Sequence, residues 1–174
     1  MNKFIGHLKT INHHRHEVIR NCFYAGIFFQ GLFHDLSKYS PSEFIVGVKH
    51  YQGTRSPNEG EREDYGYSLA WMHHKGRNKH HYEYWTDYDP KTKQLTPVKM
   101  PLRYVKEMFC DRMAASKTYL GENYNDGAPL DYFLKGNAGA RMHPETAKLL
   151  NKLLVMLRDK GEQRTFAYIR RLRD

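Results

Sequence analysis

The sequence predicts an all-α fold, with one helical domain spanning residues 1–174. In several long segments, apolar residues recur at three- and four-residue spacing, the pattern of a helix with one buried face. No segment alternates apolar and polar residues with the period of two that a half-buried strand needs. Hydrophobic residues make up 40% of the chain and charged residues 27%, as in a globular protein long enough to bury a core.

The first helix is expected from about Thr10 to Leu36, where Gly26 and Gly31 favour a break near its middle. Its apolar residues at helical spacing are Val18, Ile19, Phe23, Ile27 and Phe28. We therefore expect a helix that changes direction before it reaches residue 36.

A second helix is expected to begin at Ser40, which has the side chain of an N-cap. Pro41 would occupy the first helical position, and Glu43 is placed to complete a capping box. This helix should run to about His50. Turn-forming residues then predict a loop at Gly53–Glu61.

Proline and glycine mark the ends of the remaining elements. In order, we expect a helix at Tyr65–Lys75 ending near Gly76, an exposed connection at 86–101, a long helix from Pro101 to Leu120 ended by Gly121, a short helix near Pro129–Leu134, an amphipathic helix from Pro144 to Gly161, and a last helix at about 162–172.

Composition sets the expected compartment and partners. The formal charge of +9 favours anionic partners such as nucleic acid, phosphorylated small molecules or acidic lipid, although a generally basic surface without a dedicated partner gives the same total. Cys22 and Cys110 sit in apolar surroundings and predict buried free thiols. No apolar run approaches the roughly 18 residues of a membrane span, and the N-terminus lacks a signal-peptide segment. We therefore expect a cytoplasmic protein with no membrane association.

Eleven histidines are many for a chain of this length, and most of them fall in groups. The groups are His13, His14 and His16; His34; His73 and His74; and His80 and His81. Imidazole and carboxylate ligands together suit Zn, Mn, Fe, Co or Ni rather than Ca. The histidines without neighbours in sequence are expected to be packed or solvent-facing: His7, His50 and His143.

The adjacent pair His34-Asp35 is flanked by apolar residues and is expected to be buried. Neighbouring residues on a helix point about 100° apart, so both can reach one ion only where the helix ends or bends. A buried carboxylate needs a compensating cation, and a metal ion would supply it. The alternative is that Asp35 pairs with Lys38 and His34 caps a turn.

The segment around Gly76 carries two pairs of histidines. His74 and His81 are seven residues apart, or about 10.5 Å along an unbroken helix, too far for two ligands of one ion. A turn at Gly76 would let them converge, with Arg77 and Lys79 beside them to hold an anionic group. The alternative is a solvated, basic, histidine-rich loop.

Asp111 interrupts the apolar pattern of the long helix that begins at Pro101. A carboxylate in such a position needs a partner. That partner could be Arg112, a neighbouring helix or a metal ion, and the residues alone slightly favour the salt bridge.

The order His16, His34-Asp35, Asp111 resembles the H…HD…D motif of the HD superfamily of metal-dependent phosphohydrolases. The whole pattern is also similar to a small bacterial and phage family of unknown function (DUF5662) within or near that superfamily. The resemblance covers roughly residues 10–121 and implies a helical bundle of the HD type. The helices at about 128–173 would be additions to it.

The resemblance implies a site for one or two divalent ions of Mn, Fe, Co, Ni or Zn. The ligands implied for the first ion are His16, His34, Asp35 and Asp111, with His13 as the alternative to His16. Asp35 would bridge to a second ion bound by His74 and His81, and the choice within each of the two His-His pairs stays open.

The function expected from this site is hydrolysis of a phosphate ester on a nucleotide or another small phosphorylated metabolite. We expect Asp35, Lys38 and Arg77 to act in catalysis. The expected substrate-binding residues are Lys38, Arg77, Lys79 and Tyr82. Two alternatives stay open: a di-iron oxygenase of the HD type, and a basic nucleic-acid-binding helical protein with a structural metal.

Overall fold

Eight α-helices and a β-hairpin form the chain in a computed structural model that describes residues 2–173. The helices are α1 (Lys3–Ala25), α2 (Phe28–Leu32), α3 (Pro41–Lys49), α4 (Pro57–Tyr65), α5 (Leu69–Arg77), α6 (Leu102–Leu120), α7 (Ala128–Lys135) and α8 (Pro144–Arg171). The strands are β1 (Thr86–Asp89) and β2 (Gln94–Pro97), and short 3-10 turns lie at Leu36–Tyr39, Tyr82–Tyr84, Gly121–Asn123 and Ala138–Arg141. The prediction of an all-α protein is confirmed.

The core lies where α1, α6 and α8 pack together. Its largest fully buried apolar side chains include Phe109, Met113, Leu150, Leu153, Leu154, Leu157 and Ile169. Within the α1–α6 interface, the buried Asn21 side chain donates to the carbonyl of Cys110 at 3.1 Å. Cys22 and Cys110 are buried free thiols, as predicted. The α1–α6 pair is therefore the rigid base on which the rest of the fold is arranged.

Glycines produce the sharp corner between α1 and α2. Gly26 ends α1 in the left-handed conformation, with φ 78°, and the amide of Ile27 donates to the carbonyl of Cys22 at 2.9 Å. Gly31 then lies against α1, where an added Cβ would come within 2.6 Å of the Cys22 Cβ. The predicted break is confirmed at Gly26, and it folds α2 back so that residues 33–35 return to α1.

Two predictions about residues 40–61 need correction. The helix at Pro41 is confirmed, but the Ser40 side chain makes no capping hydrogen bond, and the Glu43 carboxylate accepts from His73 and His74 instead of reaching back to the N-cap. The expected loop at Gly53–Glu61 is partly wrong, because α4 begins inside it, after Ser56. At Glu43, a tertiary contact with histidines replaces the predicted capping box. At Ser56, an N-cap that was not predicted begins α4.

The connection at 86–101 contains a hairpin that the sequence did not predict. Strands β1 and β2 pair antiparallel, with Thr86 opposite Pro97 and Asp89 opposite Gln94. Most of their residues are exposed, so no alternation of buried and exposed positions marks them.

The C-terminal half follows its predicted boundaries closely. α6 begins after Pro101 and ends at Gly121. α8 continues past Gly161, whose φ of 76° and ψ of 172° separate it into the two predicted helical segments. Among residues 2–173, no helix is long and apolar enough to cross a membrane.

His7 gives the fold a specific pH dependence. Its ring packs beside Phe44 and Tyr51, and burial, together with the charge of Lys38, lowers its pKa from 6.5 to about 4. The unfolded chain therefore binds this proton more readily than the folded one between pH 6.5 and 4. The contribution of neutral His7 is complete above pH 6.5 and is lost as the pH falls towards 4.

We expect His7→Gln to remove this part of the acid sensitivity. As the pH falls from 7 to 4, the free energy of unfolding of His7→Gln should rise by about 1–2 kcal/mol relative to that of the wild type. This difference is smaller than the full pKa shift of His7 would give, because the ring borders an open cleft and is partly screened by solvent. Urea denaturation at several pH values measures the difference. An unchanged difference between the two proteins across this range would contradict the assignment.

Candidate metal centre and cleft

The turn that carries His34 and Asp35 solves the geometric problem posed by their adjacency. α2 ends at Leu32, and Asp35 takes the left-handed conformation, with φ 54° and ψ 27°. Arg15 of α1 donates to the carbonyls of Leu32, at 2.5 Å, and of His34, at 3.3 Å. Because the chain is no longer helical here, the two side chains can point to one place, as the sequence required.

One oxygen of Asp35 faces a group of side chains from α1 and α6. Asp35 Oδ2 lies 3.2 Å from His34 Nε2 and 3.9 Å from His14 Nε2. Asp111 Oδ1 lies 3.1 Å from His14 Nε2 and 3.4 Å from His34 Nε2. Lys38 Nζ also contacts Asp35 Oδ2, at 2.7 Å, so the pairing of Lys38 with Asp35 is present beside the histidine cluster.

The other oxygen of Asp35 faces a second, histidine-rich group. Asp35 Oδ1 lies 3.3 Å from His74 Nε2 and 3.5 Å from His80 Nε2. The ring of His81 completes the group, with its centroid 4.1 Å from that of His80 and 4.8 Å from that of His74. Asp35 therefore stands between two sets of potential ligands.

Two further carboxylates, those of Glu107 and Glu43, contact Nδ1 atoms of the histidines. Glu107 Oε1 lies 2.8 Å from His34 Nδ1 and 3.3 Å from His80 Nδ1, so one oxygen serves a histidine from each group. The other oxygen of Glu107 accepts from the side chain of Gln30. With Nδ1–H directed at Glu107, each imidazole presents Nε2 to Asp35.

Glu43 plays the corresponding part for the second group only. Its Oε2 lies 2.8 Å from His74 Nδ1, and its Oε1 lies 2.7 Å from Nδ1 of the half-exposed His73. Because α3 and α5 pack together, this contact also ties the ligand-bearing helix to its neighbour. His73 is thus a partner of Glu43 and not a member of the cluster.

The electrostatics keep the carboxylates of the cluster ionised. Burial opposes the charge on Asp35, but His34 and Lys38 outweigh it and hold the pKa of Asp35 well below its ordinary value. Against the same effect of burial, hydrogen bonds from histidines lower the pKa of Asp111 strongly and that of Glu107 to about 2. These carboxylates also raise the pKa of the buried His34 well above 6.5. The site therefore combines ionised carboxylates with the positive charges of Lys38 and His34.

The chain reverses after α5 at Asn78 and not at the predicted Gly76. α5 runs through Gly76 to Arg77, and nothing lies within 4 Å of a Cβ added at Gly76. The Asn78 side chain donates to the His74 carbonyl and to Ser37 Oγ, both at 2.8 Å. This turn lets His80 and His81 fold back beside His74.

Several predicted residues lie at the cluster, but His16 is a correction. His34, Asp35, His74, His81 and Asp111 come together. His16 and His13 are exposed on α1, whereas the buried His14 lies in the cluster. His14 falls on the buried stripe of α1 that also contains Ile11 and Val18, and His16 lies about 200° from it around the helix. The helical period was therefore a signal that could have selected His14.

Other members of the site escaped sequence reasoning. His80 belongs to the second group together with His81, so the pair does not divide into one ligand and one bystander. Glu107 precedes Asp111 by one helical turn and shares its face of α6, a signal that spacing could have provided. The sequence predicts a capping role for Glu43 and gives no sign of its contact with His74. His50 and His143 lie elsewhere, His50 beside Asp64 and His143 as the N-cap of α8.

A cleft of about 810 Å³ opens onto the cluster and is rich in cationic side chains. Lys38 and Tyr82, two of the residues expected to bind substrate, line it. Arg77 and Lys79 do not: both are exposed, Arg77 near the His73 carbonyl and Lys79 over the ring of Tyr84. The cations that do line it, apart from Lys38, are Arg55, Arg62, Arg112 and Arg141. Of these, Arg55 is paired with Glu63 at 2.5 Å.

The donor set fits divalent transition-metal ions. Buried Nε2 atoms of His14, His34, His80 and His81 make no hydrogen bond of acceptable geometry within residues 2–173, although carboxylate oxygens lie close to them. Burial lowers the pKa of His14 and that of His81, which favours the neutral form with a free lone pair. Within each group the candidate ligand atoms lie within 4.8 Å of one another. Imidazole nitrogens with carboxylate oxygens suit Mn, Fe, Co, Ni or Zn.

The fold and the site define an all-helical protein with a buried histidine and carboxylate cluster at the end of a cationic cleft. The chain belongs to the "Family of unknown function (DUF5662)", which matches residues 3–156. Neither the curated proteins nor the solved structures contain a match to it.

The position of the reversal predicts opposite effects for two substitutions. Gly76→Ala should stabilise the protein by about 0.5–1 kcal/mol, because alanine favours the helix and the site is open. Asn78→Ala should destabilise it by about 1–3 kcal/mol, because it removes the two hydrogen bonds that the side-chain amide donates to the His74 carbonyl and to Ser37, although that carbonyl keeps the bond from the backbone N–H of residue 78. Midpoints of urea denaturation compare the two. A greater loss in Gly76→Ala than in Asn78→Ala would return the reversal to Gly76.

Proposed function

We propose that this chain is a metal-dependent phosphohydrolase of the HD type that acts on a nucleotide or another small phosphorylated metabolite. One observation carries the proposal: the two oxygens of Asp35 face two separate sets of histidines. A carboxylate divided in this way is suited to bridge a pair of divalent ions, and paired ions are a common device for phosphoester hydrolysis.

The proposed ligands follow from the two groups. The first ion would be held by His14, His34, Asp35 and Asp111, and the second by Asp35, His74, His80 and His81. With His14 in place of His16, the order along the chain still resembles the HD motif.

Bound divalent ions would generate a nucleophile from water near neutral pH and neutralise phosphate oxygens. The chain itself would orient the substrate. Lys38 stands at the mouth of the cluster, held by Asp35. Arg62 lies over the ring of Trp71, at 5.8 Å, and Trp71 in turn contacts His81. These cations would hold phosphate oxygens near the cluster, and Trp71 or Tyr82 offers an aromatic surface for a base.

The cleft favours hydrolysis over the alternative functions. A di-iron oxygenase would use the same ligands, but molecular oxygen has no need of a cleft lined by arginines. Nucleic-acid binding by a basic face would place its cations on an open surface, whereas these line a concavity that ends at the cluster. The buried free thiols Cys22 and Cys110 suit a reducing compartment, and we propose a cytoplasmic location.

Metal content and turnover test the proposal together. Purified protein should contain up to two equivalents of transition metal per chain and should hydrolyse at least one member of a panel of nucleotides and phosphoesters. His14→Ala should lower turnover by more than about 100-fold, beyond what supporting residues usually cost. The matched variant His16→Ala, on the same helix but exposed, should retain wild-type turnover.

Three outcomes would reject the proposal. A folded protein that takes up no metal has no such site. A metal-loaded protein that cleaves no phosphoester is not a phosphohydrolase, and oxygen uptake by its iron form would favour the oxygenase instead. Equal effects of His14→Ala and His16→Ala would remove His14 from the ligand set.

The supporting carboxylates give a second prediction. Glu107→Gln should lower affinity at both metal positions by about 10–100-fold, because one oxygen of Glu107 contacts a histidine of each group. Glu43→Gln should weaken only the position that contains His74. Isothermal titration with Mn or Zn resolves the two classes of site. The metal position that keeps its affinity in Glu43→Gln should be the position that His14→Ala removes. If Glu107→Gln and Glu43→Gln weaken the same single position, the arrangement is contradicted.

A further inference from the structure

The cleft that opens onto the histidine and carboxylate cluster is also lined by Arg112 of α6 and Arg141 of the turn at Ala138–Arg141. We infer that these two arginines form a subsite for a second anionic group, a phosphate on the same small molecule whose other phosphate reaches the cluster. The location of the reacting phosphate rests on the proposed function. The binding of an anion by the arginines does not require it.

Arg112 is a half-buried cation that forms no ion pair among the described residues. Its guanidinium lies over the ring of Phe133, at 5.5 Å, and its buried Nε has no hydrogen-bond partner in residues 2–173. Within the same residues, no carboxylate lies within 4.0 Å of it to form an ion pair, although Asp111 is the preceding residue. A guanidinium in this condition is stabilised when an anion enters the cleft.

Arg141 adds a second unpaired charge to the same cleft. Its side chain donates to the Gly136 carbonyl at 3.0 Å and, among the described side chains, forms no salt bridge. Arg112, Arg141 and Tyr82 all line the same cleft.

The acidic side chains of Asp111 and Glu83 line the cleft together with Arg112 and Arg141. The Oε2 atom of Glu83 is buried and has no hydrogen-bond partner in the part of the chain that the structure describes. Within the same residues, neither carboxylate lies within 4.0 Å of a guanidinium nitrogen of either arginine, so both arginines are left without an ion pair.

The geometry of the donors favours phosphate. A guanidinium that stacks on an aromatic ring keeps its edge free for two parallel hydrogen bonds to an oxyanion, and a phenol adds a third donor. Since Arg112 directly follows Asp111, this subsite lies beside the cluster on α6. A molecule that fills both would carry two separate phosphate groups, as a bisphosphate or a nucleotide phosphorylated at two positions does.

Phosphate binding to the full chain after chelation of metals tests the subsite by itself. Isothermal titration with inorganic phosphate should detect binding to the wild type, and Arg141→Gln should weaken it by about ten- to a hundredfold, as expected for a lost charged hydrogen bond. Arg141 is exposed, so this variant tests the subsite even if Arg112→Gln fails to fold. Arg112→Lys should also weaken binding, because an ammonium cannot replace the guanidinium fork.

Arg77→Gln is the matched control, since Arg77 is exposed and lies outside the cleft. It should bind phosphate as the wild type does. No phosphate binding by the chelated wild type, or equal binding by Arg141→Gln and wild type, would overturn the inference. Metal content measured on the same proteins separates the two ideas: phosphate binding without any metal uptake would sink the proposed hydrolase and leave the anion subsite standing.

Discussion

The arrangement of this molecule depends on a carboxylate buried between two sets of histidines. Asp35 is only 2% exposed, and a charge in that position must be matched by cations or by hydrogen bonds. Its left-handed backbone is uncommon for an aspartate, and Arg15 holds the preceding turn through two carbonyls. The close approach of α2 to α1 at Gly31 brings that turn to α1. The sharp corner and the arginine anchor together place both oxygens of one side chain where each faces a different group.

The long helix α6 connects the stable part of the fold to its chemical part. On one face Phe109 and Met113 fill the core against α1 and α8, while Glu107 and Asp111 project into the cluster. The next residue, Arg112, turns into the cleft. Because α6 is anchored by apolar packing along its length, the polar side chains it carries have fixed positions. A rigid helix of this kind is well suited to hold ligands within the small tolerances that a metal site needs.

Several of the cationic side chains behind the net charge of +9 line the cleft. The sequence predicts Lys38, Arg77 and Lys79 as the functional cations. Lys38 lines the cleft, whereas Arg77 and Lys79 are exposed outside it. The cations at the cleft come from distant segments, among them Arg62 of α4 and Arg141. Cationic side chains and the carboxylates of the cluster therefore border the same cleft.

Local signals determined the helices, because glycine, proline and apolar spacing act within one or two turns of the chain. They placed the breaks at Gly26 and Gly161, the starts at Pro41 and Pro101, and the importance of His34-Asp35. The helical period of α1 also distinguishes His14, which lies on the buried face, from His16, which does not. Only the tertiary structure decided that His80 joins His81, that Asn78 makes the reversal, and that Glu107 and Glu43 support the histidines. Those outcomes depend on how α1, α3, α5 and α6 pack, and contacts between residues 27 to 73 positions apart leave no periodic trace in the sequence.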